Sequence, residues 1–305
     1  MLLLETGNVT IEGPDLSGKT TLYNEIHRET GFQWNIQDRS TLSMLVYARL
    51  YNRDVPKWRR KLRSELSNLN NRLILLRPSW NTVVQRYHHR GDEIQDRDSL
   101  ERVYKLFQEE GDNILSLPTV IVPNLSGASS EEITHECCDS LRRLENVTPH
   151  RLGELVRDFV ECSSSDEVSP IQFTVSDQWP FHLADRGIMS DPEEADYYDK
   201  IMVGVLDNID RELRGENEYN KPQDLTTRRF IFTQDSCISL IHTMFRNSIL
   251  NVHAVCRSSD VVNTFTSDVR YLHYLSTVIH KKLNLEETVP MHLHVRMHSA
   301  HVVER

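Results

Sequence analysis

The residues best suited to chemistry lie early in the chain, in the run Gly13-Pro14-Asp15-Leu16-Ser17-Gly18-Lys19-Thr20. The pattern G-x-x-x-x-G-K-T follows the short apolar stretch Val9 to Ile11, where a strand would turn into a helix. Gly13 and Gly18 let backbone N–H groups close around a polyphosphate, and the helix start adds a favourable dipole. Lys19 is the cation for the β and γ phosphates, and Thr20 offers its hydroxyl to Mg²⁺. Asp15, Ser17 and Thr21 complete the expected contact set. An ordinary glycine-rich turn is the competing reading, and the strand–loop–helix context disfavours it. The run predicts a nucleoside triphosphate site, with ATP and Mg²⁺ as expected cofactors.

Two further segments could act on a bound triphosphate. Asp38-Arg39-Ser40 stands at the end of a predicted strand, Phe32 to Ile36, with Ser43 one turn on. In open α/β sheets ligands sit beyond the carboxyl ends of strands. There Asp38 can take a hydroxyl proton or help hold Mg²⁺, and Arg39 can hold phosphate. Arg86-Tyr87-His88-His89-Arg90-Gly91-Asp92-Glu93 leaves a predicted helix for a polar loop. Arg86 and Arg90 could close over a transferring phosphoryl group. A surface ion pair is the bland reading of Asp38-Arg39, and a charged helix end that of the second segment.

The elements that must position these groups alternate as in an α/β protein. Strands are predicted at 8–12, 32–36, 73–76 and 119–122, with helices at 19–29, 41–52, 57–69, 80–89, 98–110 and 131–144. Leu73-Ile74-Leu75-Leu76 has the continuous apolar character of a buried parallel strand. Asn124 to Ser130 has linker composition, and Asn146-Val147-Thr148-Pro149 marks a boundary. A chain of 305 residues fits two cores better than one, so units at 1–146 and 147–305 are expected.

Charge and cysteines narrow the setting. Residues 1–125 carry 17 Lys and Arg against 16 Asp and Glu, and the remainder 18 against 29, so the second half repels bulk nucleic acid. The basic run Lys57 to Arg63 reads as a solvated helix face, and no interleaving of aromatic with basic residues supports a stacking platform. No apolar run reaches the length of a membrane span, and Met1-Leu2-Leu3-Leu4-Glu5 has neither the basic region nor the long apolar core of a signal peptide, so none is expected. Five cysteines without C-x-x-C spacing suggest reduced thiols, hence a cytoplasmic protein (host cytoplasm if viral). Cys137-Cys138 reads as buried helix packing.

Residues 7–122 resemble the P-loop kinases of the thymidylate kinase and deoxynucleoside kinase group. The resemblance rests on the loop with Asp15 inside it, on Asp38-Arg39-Ser40, and on Leu76-Arg77-Pro78 leading to Arg86 and Arg90-Gly91-Asp92-Glu93. It implies that Asp15 contacts the acceptor's sugar and that Arg39 holds the acceptor's phosphate or Asp38 activates its hydroxyl. Arg86 and Arg90 would act during transfer. One departure is the 18 residues between Lys19 and Asp38. Thymidylate kinases place a strand and base-binding helices there, and the compression looks more like phage polynucleotide kinases.

In the second half, Thr227-Arg228-Arg229, Cys237, Cys256-Arg257-Ser258-Ser259-Asp260 and Asp268 stand out. Arg228, Arg229, Arg257 and Ser258 are suitable donors for one phosphate monoester. A thiol near such cations, here Cys237, could attack an electrophilic ring carbon. This stretch, about 195–301, resembles the thymidylate synthase and pyrimidine hydroxymethylase family. There a catalytic Cys precedes the Arg of an R-S-x-D motif by twenty residues, as Cys237 precedes Arg257, and a ring-reading residue follows that Arg by eleven, as Asp268 does. In that family an R-R pair reaches in from the partner subunit to cap the phosphate, as Arg228-Arg229 could. Asp at the ring-reading position implies cytosine, since it accepts from an exocyclic amine. Ile238 replaces the family's His, and Arg296 and His298 stand where its sugar-binding His and Tyr would be. The folate side has no counterpart, so the resemblance implies recognition of a pyrimidine nucleotide, by Asp260 and His298 among others, rather than methyl transfer.

The expected architecture is therefore α/β: a P-loop kinase with a parallel sheet, then an α+β thymidylate-synthase-like domain. Three functions fit. One is an ATP-dependent kinase of a pyrimidine deoxynucleotide, the second domain supplying recognition or a homodimer contact. Another phosphorylates the hydroxyl of a 5-hydroxymethylpyrimidine such as 5-hydroxymethyluracil, possible within DNA, in the manner of phage base modification. The third is a nucleotide sensor on an ATPase. His292, His294, His298 and His301 could suggest a metal, but alternation with Leu293 and Val295 reads as a half-buried strand.

Overall fold

The computed structural model describes residues 2–90, 96–162, 167–168, 170–177, 192–262 and 264–301. The chain runs β1 (Leu2–Leu4), β2 (Asn8–Glu12), α1 (Lys19–Thr30), β3 (Asn35–Asp38), α2 (Thr41–Leu50), α3 (Val55–Leu66), β4 (Arg72–Leu75), α4 (Trp80–Arg90), α5 (Arg97–Asp112), β5 (Val120–Ile121) and α6 (Ser130–Glu145). It continues through β6 (Asn146–Val147), α7 (Pro149–Glu161), β7 (Glu167–Val168), β8 (Ile171–Asp177), α8 (Pro192–Arg214), β9 (Phe230–Thr233), β10 (Ile238–Arg246), β11 (Ile249–Cys256), β12 (Ser259–Asp260), α9 (Phe265–Lys282), β13 (Met291–Met297) and β14 (Ala300–His301). Two compact units result: Thr6–Glu145, and Met1–Glu5 together with Asn146–Arg305. The first five residues thus leave the unit expected at 1–146, because β1 pairs antiparallel with β6 and β8.

Unit Thr6–Glu145 is an α/β layer structure around four parallel strands in the order β3-β2-β4-β5. Val9, Ile11, Leu73 and Ile74 are wholly buried, as central strands covered on both faces require. On one side Leu22 and Ile26 of α1 and Cys137, Cys138 and Leu141 of α6 close the core against the sheet. Burial pushes the Cys137 thiol up to about 12 and the Cys138 thiol up to about 11, so both are inert apolar filler. Elsewhere α2 packs on α3 and α5. Leu42, Leu45, Val46, Leu62, Leu66, Val103 and Phe107 of these three helices are all buried.

One expectation shifts here. The second strand is Asn35–Asp38 rather than 32–36: Gly31 and Phe32 take left-handed φ of 61° and 63°, so the chain is still turning off α1 at Phe32. The later strand puts Asp38 inside β3 at its carboxyl end. Residues 124–130, of linker composition, form the loop between β5 and α6 within this unit, with the Asn124 amide donating to Glu136 at 3.0 Å. No further strand separates α1 from β3, which lies directly beside β2.

The second unit has a seven-stranded sheet, ordered β6-β1-β8-β13-β11-β10-β9, and a small sheet β12-β14-β7. β11 and β13 are parallel and the other pairs in the large sheet antiparallel. Residues alternate in burial along β11 and β13, the inward set packing under α9. His292 and His294 belong to the less buried set, in a half-buried strand. Among the described residues, no helix is long and apolar enough to cross a membrane.

Candidate functional site

The glycine-rich loop joins β2 to α1 and is built for close backbone approach. Gly13 has φ 149°, and a Cβ there would stand 2.6 Å from the Leu76 carbonyl oxygen at the end of β4. Gly18 caps α1 with φ 103°, and no side chain caps the helix, so first-turn N–H groups are left for an anion. The Lys19 ammonium folds over the loop and donates to the carbonyls of Gly13 and Pro14 at 2.8 and 2.9 Å. Burial pulls its pKa down, with Asp15 and Glu12 opposing. The Ser17 hydroxyl is buried with no partner among the described residues. An orphaned hydroxyl, an uncapped helix start and a buried ammonium together fit a polyphosphate. Thr20 and Thr21 open α1 on its exposed side.

Asp15 serves as a hub. Its Oδ2 accepts from the Tyr47 hydroxyl at 2.9 Å and its Oδ1 from the Arg39 guanidinium at 3.3 Å, with Lys19 4.0 Å away. Arg39 itself has φ 74°, a left-handed backbone that costs energy in a non-glycine residue, while its amide extends the ladder to the Ile11 carbonyl at 3.3 Å. Asp38 beside it is exposed at the carboxyl end of β3. The structure therefore gathers Asp15, Lys19 and Arg39, with Asp38 at the same sheet edge.

Sequence reasoning missed the residue that ties these parts together. Glu12, the last residue of β2, is fully buried. Its carboxylate accepts from the amide and hydroxyl of Ser40 at 2.5 and 2.8 Å, and from those of Ser43 at 3.0 and 2.6 Å. Ser40 is also the N-cap of α2. Burial raises the Glu12 pKa, and the four hydrogen bonds lower it. Its partners Ser40 and Ser43 lie 28 and 31 residues further along the chain, so only the oddity of a carboxylate ending an apolar strand was visible in the sequence.

A groove of about 1280 Å³ opens beside the loop. Its walls include Gly18, Arg77, Arg86, Tyr104, Asn124 and Gly127. Arg86 donates to the Leu16 carbonyl at 2.8 Å, so it lies across the glycine-rich loop. Arg77 is held by Gln108 at 2.8 Å and by Asp112 at 2.7 Å. Gly91, Asp92 and Glu93 lie outside the described residues, as does the side chain of Arg90. Asn124 and its neighbours, read from composition as a linker, are part of this groove.

In the second unit the Arg257 amide donates to the Cys237 carbonyl at 2.7 Å, bringing the two chain positions together. The Cys237 side chain is exposed, and the Arg257 guanidinium bonds Asp235 at 2.5 Å. Asp268 is buried in α9, accepting from Tyr198 at 2.8 Å and Ser259 at 3.2 Å. Asp260 turns its carboxylate onto the Val262 amide at 3.1 Å. The Arg229 guanidinium lies 3.7 Å from the centre of the Tyr219 ring, and Arg228 is exposed. Ser258 is half-buried, and the His298 amide donates to the Cys256 carbonyl at 2.9 Å with its side chain exposed. Among the described residues no group of three or more His, Cys, Asp or Glu is placed to hold a metal ion.

No family model matches the chain, and no curated protein matches it either. Among solved structures, the YorR protein of Bacillus subtilis, in complex with phosphorylated GDP, is similar with a TM-score of 0.36 and 18% identity, over 44% of this chain and 95% of that one. The thymidylate synthase of T4 phage is similar with a TM-score of 0.26 and 18% identity, over 33% of this chain and 35% of that one. Both likenesses are weak.

Proposed function

We propose that unit Thr6–Glu145 is an ATP-dependent phosphotransferase acting on a pyrimidine deoxynucleotide. The observation that carries this reading is the loop itself: a buried lysine, an orphaned serine hydroxyl and an uncapped helix start at one point, with Arg86 lying across them. Backbone amides of Gly18 to Thr20 would bind the β phosphate while Lys19 exchanges its loop carbonyls for phosphate oxygens. Magnesium carried with ATP would be held by the Thr20 hydroxyl and Asp38, and would offset charge on the β and γ phosphates.

Asp38 is exposed at the sheet's carboxyl edge, where an acceptor hydroxyl or phosphate can reach it. In the transfer, the acceptor oxygen forms a bond to the γ phosphorus; a monophosphate attacks through an oxygen that carries no proton and Asp38 positions it, whereas a hydroxyl acceptor gives up its proton to Asp38. The bond from that phosphorus to the β–γ bridging oxygen breaks, and ADP leaves with the electron pair. Arg39 and Arg86 would donate to the phosphoryl oxygens, with Arg90 the further cation expected from the sequence. The second unit would recognise the pyrimidine nucleotide through Arg228, Arg229, Cys237, Arg257, Ser258, Asp260, Asp268 and His298, and would pair two chains as a homodimer.

A second acceptor is favoured by one observation: β3 follows α1 directly, so no base-binding layer stands between Lys19 and Asp38. The acceptor would then be the hydroxyl of a 5-hydroxymethylpyrimidine carried in DNA. Transfer of labelled γ-phosphate from ATP and Mg²⁺ separates the readings. The acceptors are dCMP, dUMP, dTMP, their 5-hydroxymethyl forms and oligonucleotides containing such bases, with Asp38→Asn as control. Label on free monophosphates supports the first reading and label on oligonucleotides alone the second. ATP hydrolysis without transfer to any acceptor would overturn both and leave a nucleotide sensor.

A further inference from the structure

The segment Arg49 to Arg63 carries seven cations and a single acid, Asp54. Two of the seven are neutralised: Arg49 bonds Glu109 and Glu110, and Arg59 bonds Glu110. Arg53, Lys57, Arg60, Lys61 and Arg63 are all exposed and make no ion pair among the described residues. Some cations on other helices are paired instead. In α5 Lys105 bonds Glu101, and in α7 Arg157 bonds Glu161, each one turn apart.

Three of these five cations lie on aromatic rings. Arg53 stands over Tyr51 at 5.3 Å, and Lys57 and Lys61 stand over Trp58 at 5.5 and 4.9 Å. Tyr51 in turn stacks on Tyr47 at 6.2 Å with the planes 14° apart. Tyr47 bonds Asp15 of the glycine-rich loop and lies 5.9 Å beneath Arg39. A run of contacts therefore leads from the loop along α2 to Arg53, and Lys57, Trp58 and Lys61 follow on the first turns of α3. Tyr51 is 59% exposed and Met44 on the same helix 46%. These aromatic and basic residues fall within 51–61, so this segment does interleave rings with cations, contrary to the expectation from sequence.

We propose that this face binds a single-stranded nucleic acid and guides its reacting nucleotide to Asp38 and Arg39. An exposed Tyr51 ring and a half-buried Trp58 ring, both beside unpaired cations, suit unpaired bases and their phosphates, whereas a duplex would hide the base faces from them. The delivery of a reacting nucleotide rests on the phosphotransferase reading; the binding does not.

The test is fluorescence anisotropy of a 3′-labelled oligothymidylate with the full chain at rising KCl, read beside ATP binding. Affinity is expected to fall linearly with log salt, and Tyr51→Ala to weaken it about tenfold. Replacing Lys57 and Lys61 together with Ala is expected to lower the salt slope by about one. Thermal melting shows whether these exposed positions leave the fold intact. No binding, stronger binding to a duplex, or binding that both variants leave unchanged would overturn the proposal. Oligonucleotide binding through this face without ATP binding would sink the phosphotransferase reading alone. ATP binding and transfer to free monophosphates, without oligonucleotide binding, would sink this proposal alone.

Discussion

The Ser43 hydroxyl donates to Oε2 of Glu12 at 2.6 Å, and so fixes the start of α2 to the end of the strand that leads into the glycine-rich loop. Asp38 and Arg39 lie between these anchors in the chain. Their position relative to Lys19 therefore depends on a buried carboxylate that touches no phosphate. Glu12→Ala would leave two backbone amides and two hydroxyls without their acceptor, at a cost of about 3 kcal/mol. Glu12→Gln keeps one acceptor oxygen and should cost less. Urea denaturation measures both, and phosphate transfer should fall in kcat more than in KM for ATP.

The same carboxyl has a pH signature. Its folded-state pKa is raised by burial, so its contribution to stability is full below the ordinary glutamate range and lost as pH rises through the raised value. The stability gap between wild type and Glu12→Gln should narrow over that rise. Paired denaturation curves at stepped pH would show it, and a gap that widens would contradict the burial argument.

Lys19→Ala removes the ammonium that bonds Gly13 and Pro14, and ATP affinity should fall at least tenfold, or about 1.4 kcal/mol. Gly13→Ala should do as much for a different reason. A Cβ there meets the Leu76 carbonyl at 2.6 Å and the backbone is left-handed, so the loop itself must move. Titration calorimetry with ATP checks both.

His294 provides an acid-side prediction in the other unit. Its Nε2–H donates to Asn251 at 3.0 Å, leaving Nδ1 to accept from Thr174 at 2.9 Å, and its ring stacks on His253 at 4.3 Å. Burial, with His253 and His292 nearby, pulls its pKa down to about 4. Glu5, 3.2 Å from His292, is the acid on this face. A lowered folded-state pKa means stability present above 6.5 and lost as pH falls towards about 4. His294→Asn should flatten that loss by on the order of 1 kcal/mol after screening, read from melting temperatures between those limits.

Gly204, in the middle of α8, is a packing prediction. A Cβ there would stand 2.3 Å from the Phe232 ring of β9. Gly204→Ala should destabilise the unit by about 2 kcal/mol despite a better helix propensity. Chemical denaturation would show it.

The glycine-rich loop was legible because its parts are consecutive and its geometry is local. Glu12 was not, because its partners Ser40 and Ser43 come 28 and 31 residues later and nothing in a strand pattern announces them. The register of β3 slipped because Phe32 looks like a strand residue but holds a left-handed turn after Gly31. Asn124 to Ser130 showed loop composition, which says nothing of which cavity the loop borders. Tyr47 lies on α2 and Tyr51 caps its end one turn on, yet the contacts of the cations with Tyr51 and Trp58 became visible only in three dimensions.

The pairing of Leu2 with Val147 and of Leu3 with Asn146 makes the whole stretch Thr6–Glu145 an insertion between two neighbouring strands. During synthesis β1 emerges before the inserted unit and must wait, unpaired, until that unit has been made and β6 and β8 follow it. A chain shortened to 146–305 would lack the strand that joins β6 to β8, leaving an open sheet edge and a tendency to aggregate. Replacing Thr6–Glu145 by a short turn would instead keep that strand and turn a long-range pairing into a local one. The two units are thus separable by excision from within, and not by cutting the chain once.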